Sequence, residues 1–86
     1  MQHHIFCQSC GMPIDDPSLH GNEMDNSVNP DYCHHCYKHG VFVNPRLTLN
    51  KMKFRVIKRM DRMNIPQDII ESVVERLPTL KRWKKL

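Results

Sequence analysis

Apolar positions along this chain change their spacing near Asn44-Pro45. Before that point they come in ones, twos and threes, as Ile5-Phe6, Ile14, Leu19, Val28 and Val41-Phe42-Val43, between the breakers Gly11, Pro13, Pro17, Gly21, Pro30 and Gly40. Short runs between such breakers predict short strands and turns, with Asp25-Asn26-Ser27 as a turn between two extended pieces. No helix is expected there.

Beyond Asn44-Pro45 the period becomes helical. Leu49, Met52, Val56, Ile57, Met60 and Met63 fall on one face, and Lys51, Arg55, Lys58 and Arg62 on the opposite one. The spacing predicts a helix from about Leu49 to Met63 that buries Met52, Val56, Met60 and Met63. Thr48 is its N-cap, with Leu47 and Met52 placed as a hydrophobic staple. Asn64-Ile65-Pro66 ends this helix and opens a second one that runs to about Leu77, because proline is tolerated in a first turn and Asp68 and Glu71 suit the positive end of the helix dipole. Its stripe of Ile65, Ile69, Ile70, Val73, Val74 and Leu77 is rich in β-branched residues, so packing must hold it. After Pro78, Thr79 is placed to cap one or two further turns. There Leu80, Trp83 and Leu86 recur every three residues between Lys81, Arg82, Lys84 and Lys85. Trp83 is expected to dock on the protein and the four basic groups to stay outside.

Composition turns this pattern into a question of stability. The chain has 86 residues, 40% hydrophobic and 26% charged, which fits one small folded unit and excludes a multidomain enzyme. Residues 1–43 hold only eight Ile, Val, Leu and Phe. Against an ordering cost of roughly 1.5 kcal/mol per residue, so thin a core needs a staple. Charge divides at the same place: residues 1–43 carry a net −4, and residues 44–86 a net +8, twelve Lys and Arg against four Asp and Glu.

The staple is visible as Cys7-Gln8-Ser9-Cys10 and Cys33-His34-His35-Cys36, separated by 22 residues. A CxxC turn brings two sulfurs close to one tetrahedral ion, and two such turns complete its shell. The spacing is slightly longer than the usual zinc pattern, and a hairpin over residues 20–32 absorbs the excess. Gly11, directly after Cys10, suits a knuckle that needs positive φ. Paired disulfides belong to oxidising compartments, and each cysteine's nearest partner lies only three residues away. A redox CxxC needs a helix N-terminus in a βαβ setting, which neither pair has. One structural Zn²⁺ on Cys7, Cys10, Cys33 and Cys36 is the expected cofactor, with a rubredoxin-like iron site as the open alternative. His3, His4, His20 and His39 are substitute donors, but four thiolates already close the tetrahedron and leave no place for an activated water. His34 and His35 are expected to point outward.

Several of these residues carry a family resemblance. Cys7-Gln8-Ser9-Cys10-Gly11-Met12-Pro13, Gly21-Asn22-Glu23, Asp31-Tyr32-Cys33-His34-His35-Cys36-Tyr37, Gly40, Phe42 and the ending Leu77-Pro78-Thr79-Leu80-Lys81-Arg82-Trp83-Lys84 together resemble the "putative zinc ribbon domain" of small prokaryotic proteins, sometimes attached to transcription regulators. The resemblance implies a zinc-binding fold and a regulatory role, and it brings no catalytic residues. Family members tend to have Gly where Asn26 stands, and acidic residues where Asn50 and Lys51 follow Thr48. The second departure removes a capping box.

The fold expected is α+β: a small four-cysteine zinc ribbon of short β-hairpins and two zinc knuckles over residues 1–45, followed by two or three helices over residues 46–86 packed on it as a single unit. The function expected is a regulatory or transcription-associated binding module without catalysis. Its candidate phosphate contacts are Lys51, Arg55, Lys58, Arg62, Lys81, Arg82, Lys84 and Lys85. The alternative is a zinc-stabilised protein-interaction module that uses Trp83, Phe54 or the ribbon rim. No nucleophile with a base at readable spacing and no glycine-rich phosphate loop argues for an enzyme. The first residues lack a basic n-region and an apolar h-region, so a cytoplasmic location without membrane partners is expected.

Overall fold

The computed structural model describes residues 5–84. His20–Asn22 (β1) pairs antiparallel with Val28–Cys33 (β2), and Tyr37–Lys38 (β3) with Val41–Phe42 (β4), forming two small sheets. Leu49–Arg62 (α1) and Gln67–Arg76 (α2) follow, and a 3₁₀ turn at Leu77–Thr79 leads into the last described residues. The fold is thus small α+β with two helices.

The β1–β2 hairpin is reversed by Asp25-Asn26-Ser27. Asn26 takes φ 71°, a conformation that asparagine tolerates and glycine prefers. Asp25 Oδ1 accepts the Ser27 hydroxyl at 2.6 Å and its amide at 3.0 Å. The register pairs His20 with Cys33 and Asn22 with Val28, so β2 bulges opposite Gly21. Pro30 sits in that bulge, where a missing N–H costs no ladder bond. The buried Asn29 side chain fills the gap: its Oδ1 accepts the amides of Asp31 (2.8 Å) and Tyr32 (3.0 Å).

Helix α1 begins as its sequence dictates. Thr48 Oγ1 accepts the Lys51 amide at 3.2 Å, and Leu47 and Met52 both join the core. It ends in a Schellman motif: Asn64, at φ 59°, donates to Asp61 O at 3.0 Å, and Ile65 to Met60 O at 3.0 Å. Pro66 then precedes α2 as its N-cap.

One buried cluster joins the two halves: the four cysteines, Ile14, Met52, Val56, Leu77 and Leu80. Lys51, Arg55, Lys58 and Arg62 are exposed. Three expectations need correction. Met63 is 64% exposed, because the α1 stripe outruns the ribbon and none of the described residues covers its last turn, and Met60 is only half-buried. The first half does contain a helical turn, Pro17–Leu19, where Asp16 accepts the Ser18 amide at 2.9 Å and Pro17 presets the first position. One further turn does follow, with Trp83 N and Lys84 N donating to Leu80 O at 3.0 and 2.8 Å, but Thr79 does not cap it, since its hydroxyl donates back to Arg76 O at 2.6 Å. His3, His4, Lys85 and Leu86 lie outside the described residues. Among the described residues no helix is long and apolar enough to cross a membrane.

Candidate metal centre

Two tight turns deliver the cysteines. In the first, Gly11 N donates to Cys7 O (2.9 Å) and Cys7 N to Met12 O (2.8 Å), a reversal completed by Gly11 at φ 77°. In the second, Cys36 N donates to Cys33 O at 3.0 Å, at the point where β2 ends and β3 begins. The turns meet because Gln8 N donates to Asp31 O (2.7 Å) and Cys33 N to Cys7 Sγ (3.3 Å). Behind the second turn, Gly21 of β1 lets the β3 backbone come close, since a Cβ there would strike the Tyr37 carbonyl oxygen.

The four sulfurs lie within 4.8 Å of one another, and all four residues are buried free thiols. Cys10 and Cys33 are 3.8 Å apart. That is too long for a disulfide, and it matches the edge of about 3.8 Å expected of a sulfur tetrahedron with metal–sulfur bonds of about 2.3 Å. Charge supports the same conclusion. Hydrogen bonds from Cys10, Cys33 and Cys36 hold the Cys7 thiol far below its ordinary range, and those from Cys33 and Cys36 bring Cys10 down to about 7. Cys33 and Cys36 are pushed far up, by the sulfurs they face and by burial. Four buried thiolates within 4.8 Å of one another repel strongly, so the sulfurs can all be charged only around a cation. Its donor set and geometry make it a metal site consistent with zinc.

Arginines stand beside this sulfur charge. Arg55, Arg59 and Arg82 border a cavity of about 60 Å³ that touches Cys10 and Cys36. Among the described residues no histidine joins the sulfurs. His34 and His35 stack with ring centroids 4.1 Å apart, and His35 is held below its usual range by burial and by His34 and Arg59.

The tail is bound to the first knuckle at several points. Lys81 N donates to Gln8 Oε1 (3.1 Å), Arg82 N to Gln8 O (3.1 Å) and Trp83 Nε1 to Ser9 O (2.7 Å). Arg82 then reaches Ser9 Oγ at 3.0 Å and Asn44 O at 2.7 Å, with its guanidinium 4.1 Å from the Phe42 ring centroid and 4.7 Å from that of Trp83. The expected solvated position of Arg82 is corrected accordingly: its planar fork meets two acceptors and two rings, which a surface position would not offer. Lys81 is exposed and paired with Asp31 at 2.8 Å, and Lys84 is exposed.

Sequence reasoning also missed the support beneath the second knuckle. Glu23 accepts Asn29 Nδ2 (2.6 Å) and the Tyr37 hydroxyl (2.9 Å), and Tyr37 packs with Tyr32 and Phe42 at centroid distances of 5.3 and 5.4 Å. A glycine inside the hairpin expected over residues 20–32, there read only as a breaker, was the available signal for the close approach at Gly21.

The family described as "Putative zinc ribbon domain" matches residues 6–84, and the chain belongs to it. The searches of curated proteins and of solved structures return no match.

Proposed function

We propose that the chain is a non-catalytic binding module in which Cys7, Cys10, Cys33 and Cys36 each supply one thiolate to a single structural Zn²⁺. The observation that carries this reading is the buried, closed set of four sulfurs within 4.8 Å of one another. Four thiolates complete the tetrahedral shell and leave no position for a reacting water, so the ion's work is to tie together the two knuckles of the ribbon over residues 1–45, on which the helical part over residues 46–86 packs. A cytoplasmic location goes with this reading, because a reducing compartment keeps four thiols free for metal.

The regulatory or transcription-associated role rests on charge. Lys51, Arg55, Lys58 and Arg62 project from α1 into solvent, and Lys81 and Lys84 are exposed at the tail. Lys85 belongs to the same sequence patch, whereas Arg82 leaves it because both its terminal nitrogens are engaged. A phosphate backbone is the ligand such a row suits. The alternative, a protein-interaction module without nucleic-acid binding, is favoured by one specific observation: an open apolar groove beside α1 and α2.

Two measurements on the full chain test these readings. Removing metal with a strong chelator should collapse the dispersed amide signals of residues 5–43, and restoring Zn²⁺ should return them; signals that stay dispersed without metal contradict the structural role. Titration with duplex DNA and single-stranded RNA at rising salt then tests the partner. Binding that weakens steeply with salt, and weakens further in a Lys51→Ala/Arg55→Ala/Lys58→Ala/Arg62→Ala chain, supports nucleic acid; no binding at low salt supports the protein partner.

A further inference from the structure

The groove beside the helices has a volume of about 410 Å³. Val56, Met60 and Met63 of the α1 side form one wall and Ile69 and Val73 of α2 another, and Met12 of the first knuckle also borders it. The Schellman turn contributes Ile65 at the end where the helices join. Met63 and Ile69 carry the apolar surface past the groove's mouth, at 64% and 48% exposure. Among the described residues that line it two are charged, Arg59 and Arg76, and both are cationic. Among the described residues neither guanidinium is paired with a carboxylate, and Arg76 does no more than overlie the Phe6 ring at 5.5 Å.

We propose that this groove is the docking site for an amphipathic helix of a partner protein, whose apolar face fills the channel and whose flanking Asp or Glu residues meet Arg59 and Arg76. Charge complementarity selects the occupant. A nucleic acid would bring phosphates to a channel walled by methyl and thioether groups, with two cations to meet them. A single carboxylated small ligand would satisfy one arginine and leave Met63 and Ile69 uncovered at the mouth. A helix laid against two helices presents anchors at i, i+3, i+4 and i+7, and methionine walls adapt to such anchors. The excess of Lys and Arg over residues 44–86 further attracts an acidic partner and repels a second copy of the same surface. This inference rests on the folded, metal-held module, so zinc content and amide dispersion are measured on every sample; their loss is a failure of that reading and not of this one.

The test uses the full zinc-bound chain with a fluorescein-labelled designed 16-residue helix that carries Leu and Phe on one face and Glu on its flanks. A control helix has Lys at the flanking positions. The Glu helix should shift the methyl signals of Met60, Met63, Ile69 and Val73 and bind at least about tenfold more tightly than the Lys helix. Arg76→Glu, at an exposed position that leaves the sulfur site untouched, should reverse that preference, and Arg59→Glu should do the same where zinc content is retained. Equal binding of the two helices, or shifts confined to residues outside the groove, overturns the proposal. So do decanoate outcompeting the Glu helix for the same methyls, concentration-dependent self-association through the groove, or contacts from residues 1–4 to Met60 and Met63 in the free chain.

Discussion

Removing the Arg82 side chain should loosen the first metal knuckle, although Arg82 is no ligand. In Arg82→Ala two hydrogen bonds disappear, to Ser9 Oγ at 3.0 Å and Asn44 O at 2.7 Å, together with the stacking on Phe42 and Trp83. A hydrogen bond from a charged donor contributes about 1.5–3 kcal/mol when well shielded. This guanidinium is only part-buried, so solvent screening brings the pair to about 2 kcal/mol, and the ring contacts add about 1 kcal/mol. A loss of about 3 kcal/mol is a large share of the stability of a small domain, roughly 5–15 kcal/mol. Ser9 sits between Cys7 and Cys10, so the same substitution should speed zinc transfer to a chromogenic chelator. The assay is guanidinium unfolding in a fixed zinc buffer for the natural chain, Ser9→Ala, Arg82→Ala and the double variant. A coupling energy of about 1 kcal/mol between the two positions is expected. A coupling below about 0.3 kcal/mol, with an unchanged zinc-transfer rate, refutes the idea that the tail clasps the knuckle.

Gly21→Ala should cost about 3 kcal/mol or prevent folding of the ribbon, because the clash is with the Tyr37 backbone and cannot relax by side-chain rotation; unfolding midpoints in zinc buffer check it. Thr48→Ala should lower stability by about 1 kcal/mol through loss of the cap to Lys51, measurable in the same unfolding series. Acid should release the metal, since protons compete for the thiolates, and a zinc-responsive dye in buffer free of other chelators should report release as the Trp83 fluorescence changes. Asp16 and Asp25 act in the same direction: serine hydrogen bonds hold both carboxyls below the usual range, so their contribution is present above the unfolded pKa and is lost as pH falls through the lowered one. A pH series of melts on Asp25→Asn, flatter at the acid end than that of the natural chain, checks this.

What the sequence made legible was local. The CxxC pairs, the Thr48 cap, the helix end at Asn64 and the hairpin turn at Asn26 each depend on residues within a few positions of one another, and each is where its spacing placed it. Asp16-Pro17-Ser18 also carries a readable helix-start signal, a capping side chain followed by proline, which the dense glycine and proline breakers around it obscured. Long-range partners were illegible for a different reason. Nothing in the periodicity of the tail says that Arg82 meets Ser9 and Asn44, residues 73 and 38 positions away. Periodicity likewise assigns Met63 to the buried face of α1 but cannot show that the ribbon ends before it does. The clasp and the open groove both follow from how a short ribbon covers longer helices.

The central claim, one structural zinc held by four thiolates, is tested most directly by metal quantification joined to X-ray absorption at the zinc edge on the chain as purified. One zinc per chain is expected, with a single shell of four sulfurs at about 2.3 Å. Iron in place of zinc, a shell containing nitrogen or oxygen, or well-folded protein with no metal would contradict it.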